Sequence, residues 1–258
     1  MNNRLSVVIA VKNEEANIKD CLESVRWADE IVIVDDVSSD RTVEICKGYT
    51  KNIFSNDSHG DFHGNKNLGL EKANGEWILS LDADERIDDK LAEEIRMAIN
   101  NSGNNKGYYI LRRNYFLGKW IKGCGWWPDR IIRLFRKGVT TWPLEILYND
   151  APQINDKDIV GYLKNPMIHY SYRSLKQYFE KFNLYTSMIA EKKYAKGVRI
   201  NGMNFSICFF IRPLVSFIRK YILYKGFLDG FRGLFICFSS ALVIFTSYAK
   251  LWEKQIKA

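Results

Sequence analysis

The sequence predicts an α/β domain built on a doubly wound, mostly parallel sheet, with a C-terminal helical extension that associates with a membrane. Three observations predict it: β-branched runs alternate with helix-like stretches, the connections between them are short, and after about residue 200 the composition turns apolar and basic. Strands covered on both faces read as continuous apolar runs, and parallel neighbours need a crossover helix between them.

Leu5–Val11 (LSVVIAV) is the first buried strand, and a polar break leads into a helix from about Glu15 to Arg26. Glu30–Asp35 (EIVIVD) repeats the strand pattern, Thr42–Cys46 begins a second helix, and Asn52–Ser55 supplies a third short strand. Phe62–Ala73 is helical, Asn74-Gly75 turns the chain, and Trp77–Leu81 (WILSL) is a fourth strand. Asp88 and Asp89 open a helix that runs to about Asn100. The rhythm then changes: Tyr108–Arg113 and Ile131–Phe135 are strands, separated by an aromatic, glycine-rich loop from Leu117 to Pro128 that suits a site-building insertion. Ser174–Lys196 is amphipathic and helical and stops at Gly197. This places a catalytic domain over residues 1–200 and a tail over 201–258. The tail holds two apolar segments, Met203–Leu223, interrupted by Arg212-Pro213, and Phe227–Ala249. The uncharged run Gly233–Ala249 within the second is shorter than the ~20 residues of a usual spanning helix.

At 258 residues and 47% hydrophobic content, the chain can bury a sizeable core without disulfides. Its five cysteines are scattered and lack any C-x-x-C spacing, which argues against a disulfide framework or a zinc site and for reduced thiols in cytosol. The polar start and short apolar run at the N-terminus do not make a secretory signal. Net charge is +8, and the tail alone carries eight Lys/Arg against two acids. Basic residues interleaved with Phe, Ile and Leu suit an anionic membrane surface better than a nucleic acid duplex. The expected location is therefore the cytoplasmic face of a membrane, held peripherally, with no nucleic acid partner.

The strongest chemical signal is Asp82-Ala83-Asp84-Glu85 at the end of the WILSL strand. Alternate residues on an extended chain share a face, so Asp82 and Asp84 are expected to converge on one ligand. Hard cations such as Mg²⁺ take one or two carboxylates plus substrate phosphates, which suits a metal diphosphate. The same acids also serve as first-turn residues of the next helix. A second group, Asp35 and Asp36, follows the second strand at the same sheet edge, where open α/β sheets bind ligands. There a carboxylate accepts from a base N–H or a ribose hydroxyl; the alternative is a capped turn.

Three ordered blocks, VVIAVKNEEANIKDCLESV, EIVIVDDVSSDRTVEI and GNKNLGLEKANGEWILSLDADE, resemble family 2 glycosyltransferases of the GT-A fold. Further blocks, YFLGKWIKGCGWWPDRIIRLFRKG and MIHYSYRSLKQYFEKFNLYT, are similar to the lipopolysaccharide-core β-1,4-glucosyltransferase branch. The resemblance implies an inverting transfer of a sugar from a nucleotide donor, helped by a divalent metal, Mg²⁺ or Mn²⁺. On this chain it places the donor on Val11, Asn13, Glu14, Asp35, Asp36, Lys66 and Asn67, puts Asp82 at ribose and metal, and makes Asp84 the direct metal ligand. The branch carries a His-Glu pair after its RLF block, whereas this chain reads LEILYNDAPQI, so Asp150 is the preferred general base and Glu145 its competitor.

Trp126 and Trp127 offer flat faces to an acceptor's sugar rings, with core packing as the alternative. Arg130 and Arg133 suit a phosphorylated glycolipid, with a solvated strand face as the alternative. His169 is read as an acceptor contact; metal ligation and a structural role are the other readings. With these residues in place, the resemblance implies transfer of a sugar, glucose from UDP, to a lipid-linked saccharide such as a lipopolysaccharide or lipooligosaccharide core. The alternatives are a polyprenyl-phosphate sugar transferase and a non-catalytic nucleotide-sugar-binding protein.

Overall fold

A computed structural model describes residues 4–143, 152, 154 and 159–257. The chain forms two compact units, Met1–Arg113 with Arg130–His169, and Asn114–Asp129 with Tyr170–Ala258.

The sheet strands and helices of the first part of the chain are β1 (Leu5–Val11), α1 (Glu15–Ser24), β2 (Glu30–Asp35), α2 (Thr42–Lys47), β3 (Ile53–Ser55), α3 (Phe62–Lys72), β4 (Trp77–Asp82), β5 (Glu85–Arg86) and α4 (Asp89–Asn100). They are followed by β6 (Gly107–Phe116), β7 (Lys119–Trp120), β8 (Arg130–Arg136), β9 (Val160–Tyr162) and β10 (Met167–Tyr172). Strand order is β3-β2-β1-β4-β8-β6-β10-β5, with β7 and β9 also paired to β6. β3, β2, β1 and β4 are mutually parallel. β8 runs antiparallel to β4 and β6, and β5 antiparallel to β10.

Alternate residues of the central strands feed two cores. Val7, Ile9 and Val11 of β1 pack with Ile18 and Leu22 of α1 and Leu91 and Ile95 of α4. Val8, Val32 and Ile78 join Leu70 and Ala73 in a second cluster, because successive side chains of a strand point to opposite faces. That double burial is why these strands appear in the sequence as unbroken apolar runs. The helix starts follow local chemistry: Asp61 accepts from the Gly64 N–H at 3.1 Å, and Asp88 from the Leu91 N–H at 2.9 Å.

Helix α3 lies so close to the sheet that a Cβ at Gly69 would stand 2.4 Å from Val8 Cγ1 and 3.3 Å from Val34 Cγ2. Gly69→Ala is therefore expected to destabilise the fold by about 1–3 kcal/mol despite alanine's better helix propensity. The urea midpoint should fall with the slope unchanged; a neutral or raised midpoint would mean that α3 moves off β1 at no cost.

The second unit contains α5 (Leu175–Ala195), α6 (Arg212–Ile218) and α7 (Gly230–Lys257). Arg212-Pro213 does not interrupt the first apolar segment, contrary to the expectation from sequence. The backbone stays helical through the pair: π-helical turns Ile207–Ile211 and Arg219–Leu223 flank α6, and the wider turn just before Pro213 falls where the proline supplies no N–H to the ladder. The second segment is also longer than its uncharged run suggested. The helical stretch Gly226–Lys257 is, by length and composition, long and apolar enough to cross a membrane. Leu214, Ile218, Phe231 and Phe238 are exposed on these helices.

Candidate functional site

Register brings the carboxyl ends of three strands level: Ala10 lies opposite Asp82, and Val11 opposite Asp35. β2 lies on one side of β1 and β4 on the other, so the strand order reverses at β1 and leaves a crevice at that edge.

On the β2 side, Asp35 and Asp36 divide their tasks. Asp36 is fully buried and accepts from the Ser58 N–H at 2.8 Å, the Ser58 hydroxyl at 2.9 Å and Lys12 Nζ at 3.1 Å. Burial pushes its pKa up, but the Ser58 hydrogen bonds and the Lys12 charge outweigh burial and hold it below the ordinary carboxylate value. Asp35 accepts from the Ser38 N–H at 3.1 Å through Oδ2, while its Oδ1 is buried with no hydrogen-bond partner among the described residues. A buried acceptor in that state is costly unless a ligand N–H or O–H reaches it.

The loop after β1 is braced against the loop after β2. The Val11 carbonyl accepts from the Asp36 N–H at 2.8 Å. Asn13, in the left-handed region at φ 54°, donates its N–H to Ser38 Oγ at 2.9 Å and accepts from the Ser39 N–H at 2.8 Å. The Glu14 N–H donates to Thr42 Oγ1 at 2.8 Å, and the Glu14 carboxylate accepts from Asn17 Nδ2 at 2.6 Å.

On the β4 side, the strand ends at Asp82, and Ala83-Asp84 form a turn before β5. The two aspartates are thus not alternate residues of one extended strand, as their spacing suggested. The turn is closed by the Asp82 N–H donating to Glu85 Oε2 at 2.9 Å. Asp82 Oδ1 lies 2.7 Å from Lys66 Nζ, and its Oδ2 accepts from Arg133. Arg133 also donates to Glu85 Oε1 at 2.9 Å, and Arg112 lies 3.7 Å from the same oxygen. Burial opposes ionisation of Asp82, but Arg133, then Lys66 and more weakly His169 overcome it and hold the carboxyl far below its usual range. Arg133 and Glu85 are both fully buried, which leaves Arg133 no open face for the acceptor contact expected of it.

Asp84 is buried, and its Oδ1 lies 3.6 Å from His169 Nε2. His169 reaches it because β10 pairs with β5, setting His169 opposite Glu85. A carboxylate oxygen beside an imidazole nitrogen suits a divalent cation that takes its remaining ligands from phosphates and water. Among the described residues no group of three or more His, Cys, Asp or Glu is arranged to hold a metal, so the protein's share would be Asp84 and His169. Asp82 already faces two cations, Lys66 and Arg133.

Lys66 and Asn67 both work through Trp142. Lys66 Nζ sits 4.2 Å from the centre of the Trp142 ring, and Asn67 brackets the Trp142 backbone, donating to its carbonyl at 2.9 Å and accepting from its N–H at 2.7 Å. Helix α3 thereby holds Trp142; Glu145 and Asp150 lie outside the described residues. Arg130 is exposed at the start of β8, 5.9 Å from the Tyr162 ring.

Trp126 and Trp127 belong to the second unit. Both are half-buried; Trp126 meets Phe116 edge-on at 6.2 Å, and Trp127 meets Trp120 edge-on at 5.2 Å. The glycines around them serve close packing. The Asp229 carboxylate accepts from the Lys122 and Gly123 N–H groups at 3.1 and 2.6 Å, and a Cβ at Gly123 would stand 2.6 Å from the Lys225 carbonyl oxygen.

Residues 6–140 match the family model of Glycosyl transferase family 2. The chain is 26% identical over 260 residues to the lipopolysaccharide core biosynthesis glycosyltransferase LpsC of Rhizobium meliloti, covering 97% of this chain and 93% of LpsC. It is 29% identical over 267 residues to an uncharacterized glycosyltransferase of Rickettsia typhi, covering 99% of this chain and 89% of that one. Among solved structures, S. aureus TarS 1–349 superposes with a TM-score of 0.50 at 15% identity, covering 99% of this chain and 92% of TarS. The same TarS fragment in complex with UDP gives a TM-score of 0.50 at 16% identity. These structural likenesses establish the fold.

Proposed function

The chain belongs to glycosyl transferase family 2, and from that premise we propose that it moves a sugar, glucose from a UDP donor, with inversion onto a lipid-linked saccharide of the lipopolysaccharide or lipooligosaccharide core type at the cytoplasmic face of the membrane. The observation that carries the donor half is the acidic edge of the sheet, where Asp35 Oδ1 awaits a donor N–H or O–H and Asp84 stands beside His169. The relation to LpsC supports the acceptor class.

In this reading Asp35 takes the base or ribose, and the braced loops carrying Val11, Asn13, Glu14 and Asp36 form the wall against which the nucleoside rests. Lys66, held by Asp82 and Trp142, is close enough to the edge to balance diphosphate charge. Asp84 and His169 would hold a divalent cation, which would supply charge neutralisation for the departing diphosphate. Arg133 fixes Asp82 from behind. Asp150, with Glu145 as competitor, takes the proton from the acceptor hydroxyl as its oxygen attacks C1. Trp126, Trp127 and Arg130 are assigned to the acceptor.

The test is nucleoside diphosphate release from a panel of UDP-, GDP- and TDP-sugars with Mn²⁺ or Mg²⁺. One donor should be turned over, slowly by hydrolysis without acceptor, and EDTA should suppress release by about 100-fold or more. Asp150→Asn should then lower transfer far more than donor binding. Full transfer by the Asp150→Asn, Glu145→Gln double variant would instead favour a phosphate nucleophile, which needs no strong base, and release from no donor would favour a non-catalytic binder.

A further inference from the structure

The second unit holds a groove of about 670 Å³ that the donor chemistry does not use. Its lining includes apolar side chains, among them Val215 of α6 and Ile244 of α7, and four cations, Lys193, Arg212, Arg219 and Lys220. Arg212, Val215 and Arg219 recur at the three- and four-residue steps that keep side chains on one helix face. Among the described residues no Asp or Glu lines the groove.

The four cations are met by neutral oxygens. Lys193 Nζ lies 3.4 Å from the Tyr248 hydroxyl, which also accepts from Arg212. Arg219 donates to the Tyr224 hydroxyl at 2.5 Å, and Lys220 to Ser240 Oγ at 2.9 Å. Two cations sharing one phenol oxygen neutralise nothing; Arg212 and Arg219 are exposed, and it is the half-buried ammoniums of Lys193 and Lys220 that gain most from a counter-ion. Burial, with Arg212 beside it, holds Lys193 below the usual lysine value, and burial does the same to Lys220.

We propose that this groove seats one phosphorylated lipid of the membrane, with its phosphomonoester against Lys193 and Arg212 and its acyl chain along the apolar lining from α6 and α7. A doubly charged tetrahedral anion matches several cations and the guanidinium fork, and an acyl chain matches the apolar walls. Free phosphate would use the cations alone, and a neutral lipid the apolar lining alone. The site differs from the diffuse attraction of a basic surface, which counts charge and is blind to headgroup chemistry. It deepens the membrane association proposed above, rests on that part of the reading, and is independent of the donor chemistry.

The full-length protein is titrated with phosphatidylcholine vesicles containing either phosphatidic acid or phosphatidylglycerol at matched surface charge. The wild type should prefer phosphatidic acid by about tenfold, since the monoester adds charge-assisted hydrogen bonds that the diester cannot. Lys193→Gln with Arg212→Gln should abolish that preference, with circular dichroism and nucleoside diphosphate release unchanged. Lys254→Gln with Lys257→Gln, which removes equal charge elsewhere on α7, should weaken both vesicles alike and keep the ratio. A wild type indifferent to headgroup, or a groove variant that keeps the preference, overturns the proposal while membrane association stands. Loss of phosphatidic acid binding to equimolar inorganic phosphate overturns the lipid as occupant. Binding to neither vesicle overturns membrane association as well.

Discussion

Asp84→Asn is expected to lower turnover by about 10²–10³-fold while shifting the thermal midpoint by no more than a few degrees. Asparagine keeps the shape of the side chain and removes its charge. The charge is what a cation shared with a diphosphate needs, and the buried Asp84 lies 3.6 Å from the imidazole of His169. The loss should therefore appear as a lost response to added Mn²⁺: release by the wild type rises and saturates along a metal titration, and release by the variant stays flat. His169→Ala should raise the metal concentration needed for half-maximal rate and leave metal-free donor affinity alone. Metal-stimulated turnover at the wild-type level in Asp84→Asn would remove the cation from this corner of the sheet.

The parallel half of the fold was legible because each of its signals is local. LSVVIAV, EIVIVD and WILSL are apolar runs of strand length with polar breaks between them, and the acids that end the second and fourth strands mark the sheet edge. The partners that give Asp82 and Asp84 their chemistry were not legible. β5 has only two residues, too few for any period, yet its pairing with β10 is what sets His169 beside Asp84. Nor was Arg133 legible. In the β8 sequence RIIRLFR the period of two is broken by a bulge: Tyr108 pairs with Leu134 and Tyr109 with Ile132, so Arg133 is the extra residue and spacing from Arg130 does not tell its face. Arg130 is exposed and Arg133 fully buried. The glycines near Trp126 were ambiguous by nature, since close backbone approach and an open binding loop require the same residue.

Arg133→Met should be the most destabilising single change at the site, by about 3–5 kcal/mol, because it strands a buried acid instead of removing a favourable contact. Glu85 is fully buried, with Arg133 at 2.9 Å and Arg112 at 3.7 Å as its cations. Methionine fills much of the arginine's volume, so the loss measures charge rather than a cavity. Adding Glu85→Gln to the variant should recover part of the loss, since the amide no longer demands a cation. Arg133→Lys should fall between wild type and methionine, because an ammonium restores the charge but its shorter, tetrahedral head does not bring a donor to the position from which Nη2 serves both Asp82 and Glu85. Acidity supplies an independent check. The folded-state pKa of Asp82 is depressed, chiefly by Arg133 working against burial, so its stabilising contribution is complete above the unfolded value of about 3.9 and is lost as pH falls toward the depressed folded one. Urea midpoints of wild type and Arg133→Met should thus differ by a constant amount at neutral pH and converge below about pH 4. Equal midpoints at pH 7 would mean that Arg112 alone compensates Glu85, and that Arg133 serves Asp82 without supporting the fold.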